Sequence, residues 1–140
     1  MSRVPKGCVI KGGLIAGLVF NIGEYVFNGL LMGERWAEAL GHFNLPEPSG
    51  VTTCIFVVMN FVLGIATVGV YGAIRPRYGA GPKTAICAAM SVWFFVWVFG
   101  FMSTALMGFY PIRIAVIACL WGLIEAPLAA LAGCRFYQED

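Results

Sequence analysis

Of the chain's 140 residues, 60% are hydrophobic and only 11% are charged, with a mean hydropathy of +0.84 and a formal net charge of +2. Soluble globular chains run near 45–50% apolar and about 25% charged, so this composition excludes an ordinary soluble domain, and the shortage of charge and polarity excludes a disordered one. Nine Lys and Arg against seven Asp and Glu leave no dense basic stripe, so nucleic acid is excluded as a partner.

In chain order, a flank carrying Arg3, Lys6 and Lys11 precedes the first apolar stretch, Gly12–Leu31. A helix needs roughly 20 apolar residues to cross a bilayer core of about 30 Å, and this stretch meets that length. Within it Gly13, Gly17, Asn21, Glu24 and Asn28 share one helical face. The opening Gly13-x-x-x-Gly17 permits close helix approach. The polar residues that interrupt the run argue against a cleaved signal.

The connection at Met32–Gly50 is the longest. Trp36, Leu40 and Phe43 fall on one helical face, and Glu34 and Glu38 on another. This spacing predicts a helix of about two turns lying at the membrane interface, with Trp36 as an anchor, ended by Pro46 and Pro48. It is either a surface cap on the bundle or a lid over an opening between helices.

The second stretch, Val51–Ile74, carries Asn60, Gly64, Thr67 and Tyr71 on one face. Counting down from the outer ends puts Asn60 at the depth of Glu24, within hydrogen-bonding reach. The turn Arg75–Lys83 follows, rich in Pro, Gly and basic residues. The third stretch, Thr84–Met107, holds Trp93, Phe94, Phe95, Trp97, Phe99 and Phe101, with Ser91, Ser103 and Thr104 as its only polar handles. It reads as the most lipid-facing or partner-facing helix. Tyr71, Trp93 and Trp97 read as further interface anchors. The tight connection Gly108–Arg113 makes the third and fourth stretches antiparallel neighbours. The fourth, Ile114–Cys134, has a stripe of Ala118, Gly122, Glu125, Ala129 and Ala132. Pro127 leaves the Leu123 carbonyl without its helical donor, and a kink is expected near Glu125.

Four such stretches predict an all-α, polytopic membrane protein: one transmembrane domain over 1–140, built as a four-helix bundle with a short outer interfacial helix. A β-barrel would show short alternating segments instead. Leu-Met-Gly recurs at Leu31-Met32-Gly33 and Leu106-Met107-Gly108, and Arg75 and Arg135 close the second and fourth stretches. A duplicated hairpin and ordinary membrane grammar both account for this. Seven Lys and Arg (Arg3, Lys6, Lys11, Arg75, Arg77, Lys83, Arg135) fall on one side and only Arg35 and Arg113 on the other. The positive-inside rule then places both termini in the cytoplasm, with every copy inserted the same way.

Two carboxyl groups lie inside the stretches. Glu24 is about 20 Å along the helix from Lys11, and Glu125 about 15 Å from Arg135. A charged side chain in the middle zone costs on the order of 2.5–3.5 kcal/mol even on the lenient insertion scale. One reading makes Glu24 and Glu125, with Asn21, Asn28 and Asn60, a proton or cation site. The other makes them a polar clasp that fixes helix register, each bond worth about 0.6 kcal/mol. Other chemistry has no footing. Cys8, Cys54, Cys87, Cys119 and Cys134 show no paired spacing, His42 is alone, and no nucleotide or hydrolase motif occurs. No enzyme, cofactor or metal is expected.

The segment Met32-Gly33-Glu34-Arg35-Trp36-Ala37-Glu38-Ala39-Leu40-Gly41 carries a Gly-x-x-Trp-x-x-x-x-Gly pattern at Gly33, Trp36 and Gly41. It resembles the signature that follows the first helix in small four-helix bacterial membrane proteins grouped as a domain of unknown function. The resemblance implies a bacterial inner-membrane setting and transfers no functional residue. Small multidrug-resistance exporters also have four helices and a Glu in the first. They are shorter, lack a connection like Met32–Gly50, and in dual-topology members need balanced Lys and Arg, so that likeness is one of fold alone. The first functional reading is a non-enzymatic accessory or scaffold subunit of a membrane assembly. The alternative is a proton- or cation-coupled small transporter, a parallel homo-oligomer working through Glu24 and Glu125. Expected partners are the lipid bilayer and further copies of the chain or a larger membrane complex.

Overall fold

A computed structural model describes residues 4–138. Arg3, one of the basic residues of the N-terminal flank, lies outside the described residues. Every regular element among the described residues is helical. Helix α1 (Lys6–Glu24) passes without a break into a π-helical segment, Tyr25–Leu31. Helix α2 (Gly33–His42) is the predicted short helix of the first connection. Helix α3 (Gly50–Tyr78) follows. Helix α4 (Pro82–Trp93), a second π-helical segment (Phe94–Phe99) and α5 (Gly100–Leu106) together make the third span. Helix α6 (Ile112–Cys134) is the fourth.

The four spans are Lys6–Leu31, Gly50–Tyr78, Pro82–Leu106 and Ile112–Cys134, each long and apolar enough to cross a membrane. Three of them run past the apolar stretches into basic residues: Lys6 and Lys11 lie in α1, Arg75 and Arg77 in α3, and Lys83 in α4. Long basic side chains keep their stems on apolar surface and their heads in water, so a helix loses nothing by continuing through them. Local signals set the ends. The Ser49 hydroxyl accepts a hydrogen bond from the Thr52 backbone N–H at 3.2 Å and caps α3. Gly79, at φ +85°, terminates that helix.

Span four is the centre of the bundle: half of its most apolar window is buried, against 22% for spans one and three and 17% for span two. Span one packs on spans two and four, and span three packs on spans four and two. Glycines set the distances. A Cβ added at Gly64 would run into the Gly13 carbonyl and the Gly17 backbone, and one added at Gly12 would lie 2.6 Å from the Gly133 carbonyl oxygen. Span one is therefore held backbone to backbone on two sides, with Phe20 and Val68 fully buried between.

Span three is not the most exposed helix; span two is. Aromatic content misled because it does not say which way the rings point. Trp97 is only 3% exposed, stacks on Phe20 at 5.9 Å between ring centroids, and fills the space that Gly122 leaves open. Trp93 donates its indole N–H to the Cys119 carbonyl at 2.8 Å. Tyr71 is 4% exposed, in the core. All three pack within the bundle, Tyr71 and Trp97 buried and Trp93 half-buried. Trp36 is half-buried and meets Tyr110 edge-on at 5.4 Å, which pins α2 to the bundle. Helix α6 continues through Pro127 to Cys134 as one element.

Candidate functional site

Glu24 is the last residue of α1, and Glu125 lies on the buried face of α6. The two carboxyl groups come within hydrogen-bonding reach of each other. Gly23 makes the approach possible: a Cβ there would strike the Glu125 carboxyl group. Glu125 is 4% exposed, and neither of its oxygens receives an aligned hydrogen bond from a protein N–H or O–H. The Trp121 indole approaches it without that alignment. Two carboxyl groups can share a hydrogen bond only when one of them carries a proton. The structure sets the two carboxyl groups side by side, with Asn28 donating to Glu24 and no aligned donor on Glu125.

A polar chain leads away from the pair. The Asn28 amide donates to Glu24 Oε2, and the Trp36 indole donates to Asn28 Oδ1 at 2.9 Å. Asn28 sits on the π-helical segment that takes over directly after Glu24. Such segments in α-helices recur at functional sites because they re-aim side chains locally. The chain ends at α2, where Tyr110 also packs. Tyr110 donates its hydroxyl to the Phe101 carbonyl at 3.1 Å, and burial pushes its phenol up from the ordinary value.

Asn60 does not pair with Glu24. Its amide donates to Asn21 Oδ1 at 3.2 Å, and the Asn21 amide donates to the Val57 carbonyl at 3.3 Å. The glycine contact explains the register. Gly13 faces Ile65 and Gly17 faces Phe61. Continued along both helices, that register puts Asn21 opposite Val57 and Glu24 opposite Cys54. Asn60 lies six residues from Cys54, or about 9 Å along the axis. Depth counted from the span ends treats the two helices as level, and the close glycine approach slides one along the other.

The predicted polar residues thus form two groups. Glu24, Asn28 and Glu125 come together, with Trp36 added; Asn21 and Asn60 form a separate clasp one turn away on α1. Gly23, Trp121 and the Trp36 link were missed from the sequence. Gly23 was legible as a small residue beside a buried acid, but nothing in the sequence marks the π-helical turn that aims Asn28. Among the described residues no group of three or more His, Cys, Asp or Glu side chains could hold a metal ion.

No curated protein and no solved structure matches the chain. A family model described as "Predicted membrane protein (DUF2177)" matches residues 9–135. That range takes in α2, the Glu24–Glu125 pair and nearly all of the four spans. The chain therefore belongs to the DUF2177 family of predicted membrane proteins.

Proposed function

We propose that this protein is a non-enzymatic, proton- or cation-coupled small transporter of the bacterial inner membrane, with Glu24 and Glu125 as the carrier pair. One observation carries the reading: a carboxyl pair, Glu24 half-buried and Glu125 buried, whose Glu125 oxygens have no aligned protein donor, joined by Asn28 to Trp36 at the bundle end. A clasp built only for register satisfies its polar atoms internally, and the Asn60 and Asn21 amides both donate within the bundle. This pair keeps acceptor capacity for a proton or a small cation. The Lys and Arg bias supports an orientation with both termini cytoplasmic, so the α2 end faces outside. The small interior of four helices argues for a parallel homo-oligomer as the working unit.

The experiment is flux in proteoliposomes that hold a pH-sensitive dye, under an imposed membrane potential. The wild-type protein is expected to carry protons, and Glu24→Gln and Glu125→Gln to abolish that flux while still inserting. Flux that survives both substitutions, or that is missing from the wild type, would overturn the carrier role. The accessory-subunit reading draws support from one different feature. The first half of α3 is exposed nearly all round from Val51 to Met59, which leaves it open to lipid or to another helix. Native mass spectrometry of the mildly extracted protein separates the two. Other polypeptides at fixed stoichiometry favour the subunit, and a homo-oligomer favours the transporter.

A further inference from the structure

The α2 end of the bundle is poor in basic residues, and its two arginines are far apart in sequence, one on α2 and one in the first turn of α6. Both nevertheless line one cavity of about 370 Å³. Glu38 and His42 line it from α2, and Ile114 and Ile117 line it from α6. Among the described residues neither arginine pairs with a carboxylate: Arg35 donates to the Met32 sulfur at 3.9 Å, and the Arg113 guanidinium makes no hydrogen bond or ion pair. Glu38 offsets one of the two positive charges that line the cavity, and the remaining one is stabilised when an anion sits there.

We propose that this cavity binds a phosphate group, in the form of a phosphodiester headgroup or of free phosphate. Guanidinium forks match phosphate oxygens in pairs. The two arginines and Glu38 leave one net positive charge, which suits a singly charged phosphodiester. Arg113 stands in the first turn of span four, and Ile114 and Ile117 continue the wall along α6 as an apolar surface fit for an acyl chain. Helix α2 then acts as the second jaw of the site, because Arg35 and Trp36 are adjacent and Trp36 is fixed to the bundle.

The test uses the full-length protein in detergent, with two probes. One is phosphatidylglycerol against phosphatidylcholine, read as lipid retained in native mass spectra. The other is inorganic phosphate, read as a thermal shift against chloride at equal ionic strength. Preferential retention of phosphatidylglycerol identifies a lipid headgroup, and a shift with phosphate alone identifies a soluble anion. In either case Arg35→Gln with Arg113→Gln should weaken binding at least about ten-fold. Arg35→Lys with Arg113→Lys should restore part of it, and Lys83→Gln at the opposite end should change nothing. Glu38→Gln should tighten binding, a gain that a misfolded variant could not produce. Binding that is equal in the double Gln variant and the wild type, or absent for both probes, would overturn the proposal.

Discussion

Glu125 is the residue on which the proposed transport chemistry turns. It is buried without an aligned donor, and Gly23 holds open the place where its carboxyl group meets Glu24. The Gly23→Ala protein should keep its helices but push the two carboxyl groups apart. Infrared spectra report this as a change in the protonated-carboxyl band, and Glu125→Gln should remove that band; an identical band in all three proteins would show that the carboxyls do not share a proton. Trp36→Phe keeps the ring against Tyr110 and deletes only the donor to Asn28. It should cost about 0.5–1.5 kcal/mol in a reversible melt, and no measurable change would mean the link is not formed. The two acids were visible in the sequence because charge is rare there. Their contact was not, since it depends on a glycine neighbour and on a rotation about α6 that no spacing rule fixes.

At the scale of the element, the glycine faces decide which helices lie closest. Gly64 sits against the backbone of Gly13 and Gly17, so Gly64→Leu has no flexible side chain to displace. It should destabilise the bundle by about 1–3 kcal/mol or more, measured by thermal unfolding in detergent, whereas Gly69→Leu, whose nearest neighbour is a Val9 methyl at 3.9 Å, should be far milder. Equal effects would mean that the glycine contact does not set the helix spacing. Span positions, the α2 helix and the small-residue stripes were legible because hydropathy, periodicity and capping are local properties. The exposure of span three was misjudged, since Trp97 turns inward only because Gly122 on another span makes room for it.

For the whole molecule, the outcome is a bundle with two unlike ends. One end gathers Lys6, Lys11, Arg75, Arg77, Lys83 and Arg135; the other carries α2 and two arginines. Single cysteines in an otherwise cysteine-free protein make the orientation measurable. Ser49→Cys, in the connection before α3, should react with a membrane-impermeant thiol reagent in intact cells. Ala80→Cys, in the turn after α3, should react only once the membrane is opened; the reverse pattern would invert the topology. The orientation could be argued from charge alone because the bias is large. The cavity at the α2 end could not, because it takes its two arginines from helices 78 positions apart in sequence.

The π-helical segment after Glu24 has a consequence for how this chain can change. Each of its backbone bonds reaches one residue further than an α-helical bond, so the segment behaves like a helix that has absorbed one extra residue. Removing a single residue between Tyr25 and Leu31 would let the whole span relax to α-helix and still cross the membrane. Residues beyond the deletion would keep their places relative to α1, because the bulge has already absorbed the extra residue's turn, and the change would fall on the side chains inside the segment, Asn28 among them, which would be re-aimed against Glu24. A length change that most helices would resist is here a structurally mild event that rewires the polar chain. Chains with and without that residue would share one fold and differ in whether the carboxyl pair is connected to its end of the membrane.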